Sequence, residues 1–148
     1  MSNAVVLVTG GYDHYVRFWE APRGVCYRSA QFKGSQVNAL AISRDKKLVA
    51  AAGHSIVRVY EVRSTSAQPQ REFTGQRGNV VACGFLGDDG ELLWSAAEDG
   101  TLRVWQVSTG ACVVRRRLLL KTAFRAGEMR AVREDSQIEN VDACGHVQ

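Results

Sequence analysis

The sequence has little proline, no long apolar run and no secretion pattern, and these absences exclude several classes of protein. Only two of the 148 residues are proline and 45% are hydrophobic, a composition typical of a globular domain rather than a disordered chain. No stretch approaches the ~20 apolar residues of a membrane-spanning helix. The first residues lack the basic-then-apolar layout of a signal peptide. We therefore expect one domain-sized globular unit with no direct membrane insertion.

Paired cysteines are also missing. The four cysteines form no C-x-x-C pair, and no histidine stands at metal-ligand spacing from any of them. Cys26, Cys83 and Cys112 lie within apolar, strand-like runs, where free cysteine usually behaves as a small buried hydrophobe. The pattern predicts reduced thiols, no metal site and a cytoplasmic location.

The net charge of +4 is a mild excess, and much of it lies in Arg115–Arg117 and Lys121. A nucleic-acid or nuclear-import role is one interpretation of this cluster. Val113, Val114 and residues 118–120 flank it, which favours an exposed strand end instead. We expect no nucleic-acid partner.

The stretch VVLVTGGYDHYVRFW (5–19) has two glycines where a dinucleotide-binding loop needs three. Asp13 stands where a phosphate would lie, and Val16, Phe18 and Trp19 continue a β-prone run instead of opening a helix. The stretch therefore predicts a strand, a tight turn and a second strand. We expect no nucleotide cofactor, no other cofactor and no enzymatic activity.

Three segments of fourteen residues repeat this strand–turn–strand pattern: LVTGGYDHYVRFWE (7–20), LVAAAGHSIVRVYE (48–61) and LWSAAEDGTLRVWQ (93–106). They align without a gap, and their aromatic residues, 41 and 45 positions apart, are Trp19, Tyr60 and Trp105. Further strand-like runs lie between the segments, at Val25–Phe32, Val37–Ile42, Arg71–Thr74, Val80–Phe85 and Ala111–Arg117. The repeat predicts an all-β fold, a partial WD40-type β-propeller of about three four-stranded antiparallel blades, the first incomplete at its N-terminus.

Asp13 and Asp99 lie six residues before their tryptophans, in the predicted turns. A carboxylate in such a turn accepts backbone N–H groups that the turn leaves unpaired. His54 holds this place in the second segment, and an imidazole caps less strongly, so we expect a looser turn there. The predicted structural turn and core residues are Asp13, Trp19, His54, Tyr60, Asp99 and Trp105. No partner acid recurs beside either aspartate, so no catalytic or metal-binding residue is predicted.

The sequence resembles WD-repeat proteins, and more closely the G-protein-β-like propeller subunits shared by the two TOR kinase complexes. The residues that carry this likeness are GGYDHYVRFWEAPRGVC (10–26), SQVNALAIS (35–43), DKKLVAAAGH (45–54) and AAEDGTLRVWQ (96–106). The sequence departs from the WD pattern where a Gly-His pair often opens a repeat, because Lys33-Gly34 and Gly75-Gln76 occupy those places.

The resemblance implies a non-catalytic scaffold that binds the TOR kinase domain and stabilises it, in growth signalling and in regulation of the actin cytoskeleton. The alternative is an adaptor of another assembly, such as a ubiquitin-ligase substrate receptor. Both kinds of propeller bind through loops, so the fold alone does not distinguish them. The sequence does not indicate which residues contact the partner.

The repeat predicts a partial propeller over residues 1–117 and a non-repeat, flexible or weakly helical tail over 118–148. A fourth aromatic is due near residues 146–150, and the tail lacks its pattern. We therefore expect a truncated gene model, a splice variant or a fragment of a longer propeller. Three blades cannot close a ring, so Leu102, Val104 and Val113 are expected on an open face. We expect the isolated chain to self-associate or to need a partner.

Overall fold

The structure is a computed structural model that describes residues 5–117. Within that range the chain forms strands joined by turns, and no helix there is long and apolar enough to cross a membrane. The interpretation of residues 118–148 as a tail lies outside the described residues.

Ten strands, all paired antiparallel, make up the described chain. They are β1 (Val6–Gly10), β2 (Tyr15–Glu20), β3 (Val25–Gln31), β4 (Ala39–Ile42), β5 (Leu48–Ala52), β6 (His54–Glu61), β7 (Arg71–Leu86), β8 (Leu92–Ala97), β9 (Thr101–Gln106) and β10 (Cys112–Arg117). One sheet has the order β1-β2-β3, and the other has the order β10-β9-β8-β7-β6-β5-β4.

The long strand β7 joins two blades. Its first part pairs with β6, and its second part, from Val80 onward, pairs with β8. The seven-stranded sheet is therefore two four-stranded units that share β7, where the sequence predicted two separate short strands. We call β1–β3 the first blade, β4 to the start of β7 the second, and the rest of β7 to β10 the third. The first blade has three strands, as the prediction of an incomplete N-terminal unit requires.

The turns between the repeated strands are not all the same length. The first and third blades have three-residue loops ending in a left-handed residue, His14 (φ 65°) and Gly100 (φ 79°), a common hairpin geometry. In the second blade the Gly53 N–H donates to the Ile56 carbonyl at 2.9 Å, so the loop is the two residues His54 and Ser55. The expectation of a looser turn is wrong, since this turn is the shortest of the three.

This shorter loop shifts the repeat by one residue along β5. The strand partners of the repeated arginines show this shift. Arg17 lies opposite Thr9 and Arg103 opposite Ser95, whereas Arg58 lies opposite Ala51, one residue beyond the position that the ungapped alignment gives. Side chains alternate between the two faces of a sheet along a strand. A shift of one residue therefore places each side chain of β5 on the face opposite to the one that the alignment predicts. The ungapped alignment is therefore wrong on that strand.

Two apolar layers lie between the three blades. The layer between the first and second blades contains Val16, Phe18, Ala30, Phe32, Val49, Ala51, Tyr60 and Val62. The layer between the second and third contains Ala50, Ala52, Val57, Val59, Phe73, Val80, Cys83, Leu93, Ala97, Trp105 and Val107. Successive residues of β5 therefore enter opposite layers, and the second blade is covered on both faces.

The outer faces of the two end blades are less covered by the described residues. Leu102 and Val104 are half-buried on the third blade and Val113 is 41% exposed, in line with the predicted open face. On the first blade Leu7 is 54% exposed. Contiguous apolar surface of this kind is typical of a face that contacts another unit.

Val59 and Val104 provide a matched test of this packing, because each follows its blade's repeated arginine by one residue. Val59 is fully buried between blades, whereas Val104 lies half-buried on the open face. We expect Val59→Ala to lower the free energy of unfolding by about 2 kcal/mol and Val104→Ala by under about 1 kcal/mol. Urea denaturation of the two variants measures the difference, and equal losses would contradict the assigned layers.

Candidate interaction face and its supporting network

A chain of buried hydrogen bonds runs through the third blade. The indole N–H of Trp105 donates to Ser95 Oγ at 2.9 Å, and the Ser95 hydroxyl donates to Gln76 Oε1 at 2.6 Å. The Gln76 amide donates in turn to the Thr101 carbonyl at 3.2 Å. All four residues are buried. Leaving buried polar groups unpaired costs free energy, and this chain satisfies them while it links β9, which carries the core tryptophan, to β8 and β7.

Asp99 extends this network to the surface. Its Oδ1 accepts the Thr101 hydroxyl at 2.6 Å and the Thr101 N–H at 2.9 Å, and its Oδ2 accepts the Arg77 N–H at 2.9 Å. Partial burial alone raises the pKa of Asp99, but these hydrogen bonds and the nearby Arg103 outweigh it and hold the pKa below its ordinary value. The carboxylate thus joins its own turn to the middle of β7.

The first blade carries a shorter version of the same arrangement. Trp19 Nε1 donates to Thr9 Oγ1 at 2.9 Å, and Asp13 accepts the Tyr15 N–H at 3.3 Å. Asp13 also pairs with Arg17, and the hydrogen bond from that guanidinium is the main reason why the pKa of Asp13 is lowered.

The second blade replaces the network with apolar contacts and a serine. Ala51 stands where the other blades have a hydroxyl, and the buried phenol of Tyr60 finds no hydrogen-bond partner among the described residues. Burial raises the pKa of Tyr60. The imidazole of His54 is exposed, whereas its backbone N–H donates to Ser35 Oγ at 2.6 Å. Ser35, rather than the predicted His54 side chain, therefore holds this turn.

Sequence reasoning missed five members of these networks, which are Thr9, Ser35, Gln76, Ser95 and Thr101. A signal was present, because Ser35 and Gln76 each follow a buried phenylalanine by three residues, in FKGS and FTGQ. Gln76 belongs to the Gly75-Gln76 pair that the sequence analysis treated as a departure from the WD pattern. An amide both donates and accepts, which suits it to a place between a hydroxyl and a carbonyl.

A line of polar contacts runs from the first turn to the third at one end of the blades. The Val37 N–H donates to the Gly11 carbonyl at 3.1 Å, Asn38 Nδ2 donates to Asn79 Oδ1 at 3.3 Å, and the Asn79 N–H donates to Glu98 Oε2 at 3.2 Å. Exposed side chains surround this line of contacts. We call them the turn face, and they are Tyr12, His14, His54, Arg77 and Glu98.

The turn face has the features of a binding surface. Tyr12 is 88% exposed, and tyrosine is enriched among residues that dominate protein interfaces. The carboxylates of Asp13 and Asp99 are occupied by turn and arginine donors. Among residues 5–117 no cluster of His, Cys, Asp and Glu is suited to a metal ion. Burial raises the pKa of Cys83 to about 12, which keeps that thiol protonated.

Comparison with known proteins agrees with this geometry. A family model described as WD domain, G-beta repeat matches residues 24–61 and 67–106. The chain therefore belongs to the WD-repeat family, and the prediction of an all-β, partial β-propeller is confirmed.

Similar proteins of established name are TOR complex subunits. The Target of rapamycin complex subunit LST8 of Saccharomyces cerevisiae is 51% identical over 104 residues, which are 70% of this chain and 34% of that protein. The subunit wat1 of Schizosaccharomyces pombe is 48% identical over 71% of this chain and 33% of its own length. Subunit LST8-1 of Arabidopsis thaliana is 41% identical over 74% of this chain and 35% of its own length. The chain thus spans about a third of the curated relatives it matches.

A solved structure supports the fold alone. A chain of the structure titled "Crystal Structure of Mitotic Checkpoint Complex" superimposes with a TM-score of 0.67 at 23% identity, over 74% of this chain and 34% of that one.

Replacing Asp99 by alanine tests the network. Asp99→Ala leaves the Arg77 and Thr101 N–H groups without their acceptor, so we expect the free energy of unfolding to fall by roughly 1–3 kcal/mol. Glu91→Ala, a change at an exposed carboxylate, is the control and is expected to cost under about 0.5 kcal/mol. Thermal melts of both variants measure the losses.

The pH dependence gives a second readout of the same carboxylate. Because its folded pKa is lowered, the stability contributed by Asp99 is present above its unfolded pKa and is lost as the pH falls below about 4. The difference in the free energy of unfolding between wild type and Asp99→Ala should therefore become smaller in acid. A gap that stays constant down to acid pH, or a variant as stable as wild type, would contradict the role assigned to Asp99.

Proposed function

We propose that this chain is a non-catalytic scaffold component of TOR kinase complexes, that it binds and stabilises the kinase domain, and that it acts in the cytoplasm. The observation that carries the proposal is the identity of 41–51% to proteins named as TOR complex subunits in two yeasts and a plant. As a component of such complexes, the chain would act in growth signalling and in regulation of the actin cytoskeleton.

The architecture supports a binding role at the turn face. Loops held on a rigid scaffold are the usual binding elements of a propeller. Here Asp13 fixes the turn that carries Tyr12, and Asp99 fixes the turn beside Arg77. Because these turns are ordered before a partner arrives, little conformational entropy is lost on binding. We propose that the turn face contacts the kinase.

Co-purification tests the function and the face together. Tagged full chain should recover a TOR kinase from a mild cell lysate, and Tyr12→Ser should lower the recovered kinase at least tenfold. Val25→Ser is the control, since Val25 is 50% exposed at the end of β3 away from the turn face, and it should leave recovery unchanged.

The outcomes separate the two proposals. Recovery of a ubiquitin ligase without any TOR kinase would overturn the scaffold function. If Val25→Ser abolishes recovery of the kinase and Tyr12→Ser does not, the function is kept and the turn face is rejected.

We also propose that the isolated chain self-associates. β1 pairs only with β2 among the described strands, so its other edge and an apolar groove beside Val6, Val8 and Ile42 are open. The outer face of the third blade is open as well. Unpaired strand edges next to apolar surface favour pairing with another chain.

Light scattering after size-exclusion chromatography measures this association. We expect a mass well above the 16.3 kDa of one chain, increasing with protein concentration. A monodisperse monomer with a sharp, cooperative melt would contradict the proposal.

A further inference from the structure

The arginines repeated in the three blades differ in how their charge is compensated. In the first blade Arg17 pairs with Asp13. In the second, Arg58 Nε lies 2.9 Å from Glu72 Oε1, and the two residues lie opposite each other on β6 and β7. A carboxylate thus stands directly across the strand pair from the second repeated arginine.

The third blade has an arginine in the place of that glutamate. Arg103 on β9 lies opposite Arg115 on β10, at the register position where the second blade sets Arg58 opposite Glu72. Arg117 lies opposite Thr101, so it projects from the same face of β10 as Arg115. Like charges directly opposite each other on adjacent strands are destabilising.

The surroundings hold Arg103 in place without neutralising this cluster. Its Nη2 donates to the Gly75 carbonyl at 2.7 Å, and its guanidinium lies 5.5 Å from the centre of the Trp105 ring. Its Nε is buried and has no hydrogen-bond partner within the described range. Asp99 is the nearby carboxylate and interacts with the charge of Arg103, but its oxygens accept hydrogen bonds from the Arg77 N–H and from Thr101 rather than from the guanidinium, and a single carboxylate cannot compensate three arginines.

The strand that carries two of these arginines is also an edge. β10 is the last strand of the seven-stranded sheet and pairs with β9 alone among the described strands. Its outer N–H and C=O groups are therefore open to pairing with an extended segment.

We propose that Arg103, Arg115 and Arg117, here called the arginine edge, bind an extended acidic peptide that adds to the sheet beside β10. In an extended peptide, carboxylate side chains at every second residue lie on the same face of the strand. Their spacing matches that of Arg115 and Arg117, which are also two residues apart. The second blade shows the same chemistry within this fold, because there a carboxylate on the neighbouring strand, Glu72, pairs with the repeated arginine Arg58. β10 (CVVRRR) has no aromatic side chain on which nucleic-acid bases stack, which favours a peptide.

A labelled peptide of sequence VEVEVEV is the probe, and fluorescence anisotropy with the full chain is the measurement. We expect binding that weakens as salt is raised, and no binding of the matched VKVKVKV peptide. Arg115→Glu recreates the Arg58–Glu72 pairing in the third blade, so it should keep or raise the melting temperature while weakening VEVEVEV binding at least tenfold. Arg63→Glu, which makes the same charge change at an exposed site after β6, should alter the affinity less than twofold.

A charge reversal completes the experiment. The double variant Arg115→Glu, Arg117→Glu should bind VKVKVKV in preference to VEVEVEV. The proposal is overturned if Arg115→Glu binds VEVEVEV as tightly as wild type, or if Arg63→Glu loses affinity equally, which would indicate a non-specific charge effect. Tighter binding of a single-stranded oligonucleotide than of VEVEVEV would also overturn it and identify a nucleic-acid surface instead.

Discussion

Each blade of this protein has two apolar faces, and the stability of the whole chain depends on burying both of them against neighbouring blades. A four-stranded sheet in water exposes whichever face has no neighbour, and burial of apolar surface contributes about 25 cal/mol per Å². Only the second blade meets this requirement on both sides within the described residues, since successive residues of β5 enter opposite layers. Among the described residues the end blades are each packed on one side, and the proposed self-association rests on this geometry.

The same packing positions the turns that face solvent. Trp105 fills the layer between the second and third blades, and its indole N–H needs a partner because it is buried. Ser95 and Gln76 provide that partner and extend the chain of hydrogen bonds to the turn at Asp99. The core thereby fixes the surface loops, and the turn face is a rigid surface built on buried contacts. Two residues of the arginine edge, Arg115 and Arg117, lie on β10 of the same blade, which pairs with β9 alone among the described strands.

The sequence predicted the features that depend on spacing. Three aromatic residues at blade-length intervals were enough to predict three antiparallel blades and an incomplete first one. The features that depend on strand register were not predictable. The loop at His54 is one residue shorter than its counterparts, and no residue type in the segment signals that β5 exchanges its faces. The opposition of Arg103 and Arg115 depends on the pairing of β9 with β10, which a one-residue slip would change. Gln76 was not recognised as a network residue because WD repeats often have histidine at this position, in the Gly-His pair.

Hydrogen exchange, resolved by mass spectrometry of the full chain, tests the central claim that burial on both faces makes the second blade the most stable part. We expect the slowest exchange for amides of β5 and β6, faster exchange for β1 and the fastest for β10, whose outer groups have no partner among the described strands. Equal protection of all three blades, or slower exchange in β10 than in β5, would contradict this claim.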